Sequence, residues 1–408
     1  MTQDRALEVL KTGANVFLTG EPGAGKTYTI DLFKAWMKEE EMAYAITAST
    51  GIAASHLDGS TIHSWSGLGI RRGLRKEQLD GITYNTWIVE RIKPISVLVI
   101  DEISMLDAVL LDDVSNILKA VHNNGKPFGG IQVVLVGDFF QLPPVARDGE
   151  KKEFAFNAQS WIEANMQVCY LTEQHRQSDA EFLGILTAMR AGTVTDEQKA
   201  RLKACTMTKK PDTKLYTHNA DVDRLNNEEL AKLKGQEKKY EMSESGDPKF
   251  IETLKKQCLS PEILKLKEGA VVMFTRNNFK EGYVNGTIGK VTGFTGGGAP
   301  IVKTLEGKTI VPVAAEWSYS TRRRGQVASI KQIPLRLAWA ITVHKSQGMS
   351  LDAAEVDLGG TFEFGQGYVA ISRVRSLEGL HLTDINDLAF AMHPEVVAKD
   401  KEFREAGV

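Results

Sequence analysis

Gly20-Glu21-Pro22-Gly23-Ala24-Gly25-Lys26-Thr27 decides how the rest of the chain is read. It satisfies G-x-x-x-x-G-K-[ST], the phosphate-binding loop. The apolar run Val16-Phe17-Leu18 before it predicts a buried strand ending at Thr19, and Ile30, Phe33 and Met37 after it recur at helical spacing. The expected order is therefore strand, glycine loop, then a helix starting near Gly25. Glycines in the loop permit backbone torsions closed to other residues, so successive N–H groups can turn inward around an anion. The helix N-terminus adds partial positive charge. In such a loop Lys26 reaches the β- and γ-phosphates and the Thr27 hydroxyl ligates Mg²⁺. A match of this kind arises by chance in about one chain of this length per hundred. The plain alternative, a glycine turn without a ligand, is disfavoured by the flanking elements.

The chain's 408 residues suggest two to four domains. Its 42% hydrophobic and 25% charged composition is that of an ordinary globular protein. A net charge of -2 gives no global basicity, so nucleic-acid binding would have to come from a local groove. Cys169, Cys205 and Cys258 lack metal-ligand spacing and read as buried thiols in a reducing interior. No run approaches the length of a membrane span, and Met1-Thr2-Gln3-Asp4 leads into a helical pattern without a signal or transit peptide. The expectation is a cytoplasmic, nucleoid-associated protein, with a nuclear or mitochondrial location only for a eukaryotic fragment.

A short helix is predicted over 3–13, then, past the loop, a strand at Ala43–Ile46 that breaks into Thr47-Ala48-Ser49-Thr50-Gly51. Residues 58–93 read as an excursion from the sheet. Ile95–Ile100 is a buried strand delivering Asp101-Glu102, and Ile131–Val136 another delivering Gly137-Asp138-Phe139-Phe140-Gln141. Polar residues thus gather at strand C-termini, the ligand edge of an open parallel sheet. Asp101 is assigned to Mg²⁺ and Glu102 to orienting the attacking water; unconnected to the loop, the two acids would read as a helix cap. An amide at Gln141 can sense the γ-phosphate. A strand near Val168 is expected to lead to Arg176, with helix over 181–204 and a second α/β unit from Leu215-Tyr216-Thr217-His218-Asn219. Between 269 and 330, short apolar runs alternate with glycine turns and suggest a small inserted barrel. Residues 335–341 return to a buried strand ending in Thr342-Val343-His344-Lys345-Ser346-Gln347-Gly348, and Tyr368–Arg375 carries Arg373 and Arg375.

This ordered series resembles the Pif-one family of DNA helicases, the RecD-related branch of superfamily one. Its most specific pieces are Ala48–Ala54, Val99–Met105, Pro127–Gly130 leading to Gly137–Pro144, Val343–Gly348 and Ala370–Val374. The likeness runs from Gln3 to about Leu382. It implies an α/β fold of two RecA-like P-loop domains, the first at 1–57 and 87–178, the second at 179–239 and 331–408. A small inserted pin subdomain would occupy 58–86 and an SH3-like insertion 240–330. It implies ATP and Mg²⁺ as cofactors, single-stranded and forked or partial duplex DNA as partners with G-quadruplexes in addition, and a monomeric motor moving 5′ to 3′. Roles in DNA repair, replication, recombination and telomere maintenance follow from the family. By the same likeness Gln3 reads adenine; Gly23, Ala24, Gly25, Lys26, Thr27, Tyr28 and Gly348 hold the nucleotide; Gln141 faces the γ-phosphate. Arg176 and Arg373 act as arginine fingers. Thr50, Asn219, Thr342, His344 and Lys345 are candidates for DNA phosphates, and His63, Trp65 and Phe140 for base stacking. Each aromatic reads equally well as a core residue, and the basic run Arg71-Arg72-Gly73-Leu74-Arg75-Lys76 as a solvated face.

Rival readings are a translocase that strips proteins from single strands without unwinding and a nucleotide-switched passive DNA binder. A small-molecule kinase is disfavoured, because it needs neither a second α/β unit nor two separated arginine segments.

Overall fold

The apolar run Val16–Leu18 forms the fully buried strand β1 (Val16–Gly20), next to one edge strand of a six-stranded sheet. In the computed structural model the described residues are 1–57, 59–69, 71–144, 153–173, 179–205, 213–217, 220–276, 278, 280–283, 285–305, 307–321, 325–347, 351 and 353–407. The other strands of this sheet are β2 (Tyr44–Ala48), β3 (Ser60–Thr61), β4 (Val97–Asp101), β5 (Gln132–Val136) and β6 (Gln167–Leu171). Their spatial order is β3-β2-β4-β5-β1-β6, with every pairing parallel. Runs such as Val97–Ile100 and Gln132–Val136 are buried throughout, as strands covered on both faces must be.

The two coverings differ. On one face, helices α1 (Gln3–Lys11) and α2 (Lys26–Glu39) bring Leu10, Ile30, Phe33 and Met37 against Leu18, Val99 and Val136. On the other, Phe17 meets Trp161 at 5.0 Å and Phe403 at 4.9 Å between ring centroids, inside an aromatic cluster that includes Phe139. Phe403 belongs to the helix Pro394–Glu405, so the end of the chain completes the first sheet's core.

The chain divides into two compact units. The first comprises Met1–Val194, Glu363–Tyr368 and Phe390–Val408; the second comprises Thr195–Phe362 and Val369–Ala389. The sequence reading gives 179–194, 363–368 and 390–408 to the second domain. They join the first because Arg190 is buried against Asp138, and Tyr170 of β6 bonds Asp400. These contacts lie far apart in sequence and leave no local signature.

The second unit has its own four-stranded parallel sheet, from Lys214–Tyr216, Ala340–Thr342, Ala354–Leu358 and Leu380–Ile385. Between its first two strands the chain forms antiparallel sheets. Five strands between Val271 and Leu337 make the largest, around Phe274, Val291, Val302 and Leu335. Ser243–Gly246, Ala315–Thr321 and Gly325–Gln332 form a three-stranded sheet, covered by the helix Pro248–Gln257. The single strand expected at 335–341 is two: Leu335–Leu337 pairs antiparallel with Val271–Phe274, and Ala340–Thr342 joins the parallel sheet. Residues 58–93 place β3 on the sheet edge and then three short helices, Ile62–Ser66, Lys76–Thr83 and Thr86–Ile92. No helix among the described residues is long and apolar enough to cross a membrane.

Candidate active site

Strand register brings the expected nucleotide residues to one edge of the first unit's sheet. Thr47, Ile100, Leu135, Phe17 and Val168 lie level across β2, β4, β5, β1 and β6. Beyond that row the strands deliver Ser49-Thr50, Asp101-Glu102, the turn to Gln141, the glycine loop and Thr172-Glu173. This edge is where an open parallel sheet binds ligands.

The glycine loop is built as its composition demands. Gly23 and Gly25 have φ of 89° and 87°, the left-handed region where a Cβ is penalised. Gly25 caps α2, and Lys26 opens the helix. Lys26 Nζ donates to the carbonyls of Gly20 (2.8 Å) and Glu21 (3.1 Å), which holds its charge inside the loop. Thr27 and Tyr28 are exposed on the first helical turn. Gln3 rests against the loop: its amide donates to the Ala24 carbonyl at 3.3 Å, and a Cβ at Gly25 would collide with it. The helix α1 is anchored for this by Thr2, whose hydroxyl accepts from Arg5 N–H, and by the Met1 ammonium on the Tyr170 carbonyl at 2.7 Å.

Asp101 and Glu102 stand at the end of β4. Burial, then the neighbouring Glu102 charge, pushes the Asp101 carboxyl up to about 7, while the Glu102 N–H and the Lys26 ammonium oppose the rise. Such a group favours a nearby cation, which relieves the cost of its ionised form. Glu102 adopts φ 52° and ψ 48°, a left-handed conformation unusual for a residue with a side chain. It is held by the Ser49 hydroxyl, which donates to the Glu102 carbonyl at 2.7 Å, and by its own N–H on the Asp101 carboxylate at 2.8 Å. These bonds fix the backbone from which the two adjacent carboxylates project. An Mg²⁺·nucleotide would fit this donor set, with the exposed Thr27 hydroxyl and Asp101 as its protein oxygens.

Gln141 is buried, and its Oε1 has no hydrogen-bond partner among the described residues. A buried acceptor left in this way is costly unless a ligand or water meets it. The turn that carries it is fastened by Asp138, which is fully buried and bridges Arg190 at 2.8 Å. Arg190 also lies 4.3 Å above the Phe140 ring and donates to the hydroxyls of Tyr170 (2.7 Å) and Tyr368 (3.2 Å). Sequence reasoning did not single out Arg190, because one arginine on an amphipathic helix looks like any solvated charge.

The DNA candidates are placed unevenly. Thr50 caps the helix Gly51–His56, its hydroxyl accepting from Ala53 N–H. His63 is half-buried, and burial lowers its pKa against the pull of Asp107. Trp65 and Phe140 are buried, so neither presents an open ring face in this conformation. Of the basic run, Arg72 pairs with Asp107 at 3.0 Å, while the N–H groups of Gly73 and Leu74 bind Asp113. Arg71, Arg75 and Lys76 are exposed.

In the second unit, Thr342 is fully buried at the end of its strand, and the half-buried His344 ring stacks 6.4 Å from exposed Phe362. Arg373 is buried with its guanidinium turned onto its own segment, donating to the Val369 carbonyl (2.8 Å) and the Ser372 hydroxyl (2.9 Å). Arg176, Asn219 and Gly348, together with the Lys345 side chain, lie outside the described residues.

The chain is similar to known proteins along nearly its whole length. A family model described as PIF1-like helicase matches residues 4–200, and one for the 2B domain of the DNA helicase Pif1 matches 249–294. A Psychrobacter ATP-dependent DNA helicase Pif1 is 42% identical, over 99% of this chain and 71% of its own length. The human ATP-dependent DNA helicase PIF1 is 38% identical, over 97% of this chain and 62% of its own. Among solved structures, Bacteroides Pif1 in complex with ADP-AlF4 is 30% identical with a TM-score of 0.86, covering 99% of this chain and 97% of that one. Bacteroides Pif1 with ADP-AlF3 and single-stranded DNA is 29% identical with a TM-score of 0.71, over 99% and 96%.

Proposed function

The chain belongs to the Pif1 family of ATP-dependent DNA helicases, and from that premise we propose that it hydrolyses ATP to move 5′ to 3′ along single-stranded DNA and to open forked or partial duplexes. The observation that carries this reading is the single sheet edge bearing the glycine loop, the Asp101–Glu102 pair and Gln141, whose buried Oε1 is left to accept from a water. Lys26 would leave its loop carbonyls for the β- and γ-phosphates, and Thr27 and Asp101 would hold Mg²⁺, which neutralises phosphate charge when bound. Glu102 would orient the attacking water, and the Gln141 side-chain N–H would donate to the γ-phosphate while its Oε1 accepts from water. Gln3, braced on Ala24, would read adenine.

Arg373 and Arg176 would supply the fingers that stabilise transition-state charge. Arg373 is braced by the Val369 carbonyl on Nε and the Ser372 hydroxyl on one terminal nitrogen, which sets the direction of its guanidinium. Thr50, His344, Asn219 and Lys345 would hold DNA phosphates without reading sequence, and Thr342, fully buried in this conformation, would have to be uncovered to join them. Opening DNA costs about 1.4 kcal/mol per base-pair step in stacking, well within the reach of one ATP per small step.

The test is strand separation on two partial duplexes, one with a 5′ and one with a 3′ single-stranded tail, at saturating ATP and Mg²⁺. Unwinding of the 5′-tailed substrate alone is expected. Displacement of streptavidin from a biotinylated single strand without unwinding of either duplex would support the protein-stripping translocase instead.

A further inference from the structure

We propose that Arg190 is a positioning residue for ATP hydrolysis, setting the Asp138–Gln141 turn so that the Gln141 side-chain N–H donates to the γ-phosphate and its Oε1 accepts from water. The inference rests on the reading of Gln141 given above and adds to it the group that holds Gln141 in place.

Arg190 lies on the helix Ala180–Ala191 and is 3% exposed; Asp138, its partner, is 0% exposed. Burying such a pair is costly, and replacement by apolar residues would often serve stability as well. What the pair supplies that an apolar pair cannot is geometry. That geometry is a fork. One guanidinium nitrogen serves both Asp138 Oδ2 (2.8 Å) and the Tyr368 hydroxyl (3.2 Å), and the other donates to the Tyr170 hydroxyl at 2.7 Å. The guanidinium plane lies over the ring of Phe140, the residue next to Gln141. Asp138 passes this constraint into the turn, because its Oδ1 accepts from Phe140 N–H at 3.2 Å and its carbonyl accepts from Gln141 N–H at 3.0 Å.

Two further elements hold the same turn. Tyr170 continues to Asp400 (3.0 Å) and Arg404 (2.6 Å) on the last helix, so the fork has a fixed base. The segment Glu363–Tyr368 lies against the turn, and a Cβ at Gly365 would collide with the carbonyl oxygens of Phe140 and Gln141. The turn is therefore clamped between a charged fork and a backbone strap, while Gln141 Oε1 is left unsatisfied. A lysine at 190 keeps the charge but offers a single point donor in place of the planar fork.

The experiment is a double-mutant cycle between Gln141→Ala and Arg190→Lys, read as kcat and KM for ATP with saturating oligo-dT, with ADP affinity and melting temperature alongside. Gln141→Ala is expected to lower kcat about 100-fold. Arg190→Lys should lower kcat about tenfold with KM and ADP affinity unchanged, and the double variant should be no slower than Gln141→Ala. Multiplication of the two effects would overturn the positioning role while leaving Gln141 as sensor. A silent Gln141→Ala would overturn the sensor reading and this inference with it. Tyr368→Phe removes one bond of the fork, and the same cycle run with it, at about threefold in kcat, decides the matter if Arg190→Lys does not fold.

Discussion

Replacing Asp101 by asparagine should stabilise the metal-free protein above neutral pH while abolishing its use of Mg²⁺·ATP. Burial and the Glu102 charge raise the Asp101 carboxyl from 3.8 to about 7. A carboxyl with a higher pKa folded than unfolded binds extra protons in the folded state, so stability falls as pH rises from about 4 through about 7. At about 1.4 kcal/mol per pH unit, and allowing for the residual solvent contact of the site, the loss is on the order of 2–4 kcal/mol. Asparagine keeps an oxygen for the Glu102 N–H bond and cannot ionise. Urea denaturation in EDTA at about pH 5 and about pH 8 measures the difference. The wild-type chain should lose that stability between the two and Asp101→Asn should not, leaving the variant the more stable at the higher pH. Equal pH slopes for the two proteins, or a variant less stable at both, would refute the burial argument.

Other substitutions probe the loop and its surroundings. Gly25→Ala forces a side chain into φ 87° and against Gln3, so it should cost about 1–2 kcal/mol from backbone strain alone and abolish nucleotide binding. Calorimetry with ADP checks both effects. Gln3→Ala removes the amide braced on Ala24; it should raise KM for ATP up to roughly tenfold and leave KM for GTP unchanged, as steady-state kinetics with both nucleotides would show. Burial pushes the Cys169 and Cys258 thiols up to about 11, so neither should react with a thiol reagent at about pH 8 until the chain is unfolded.

Much of the nucleotide edge could be read from the sequence, because each piece is local. Val16–Leu18 and Val97–Ile100 are apolar runs whose next residues carry the chemistry, and the glycines at 23 and 25 announce the torsions they adopt. Contacts between distant parts of the chain could not be read in that way. Arg190 and Asp138 are 52 positions apart, and Phe403 reaches Phe17 from the opposite end of the chain. Residues 335–341 look like one apolar strand, yet their two halves belong to different sheets; a hydrophobic run records burial, not the strand it pairs with. The aromatic candidates mark the same boundary. Trp65 and Phe140 have the chemistry of a stacking platform, and only tertiary structure reveals that both rings are covered.

The claim on which everything else depends is that ATP cleaved at this loop is coupled to DNA. Steady-state ATP hydrolysis with and without oligo-dT, for the wild-type chain and Glu102→Gln, tests it most directly. Hydrolysis should rise strongly with DNA in the wild type and fall on the order of 10²–10⁴-fold in Glu102→Gln, with ATP binding retained. Hydrolysis indifferent to DNA, or a Glu102→Gln variant that keeps its DNA-stimulated turnover, would contradict it.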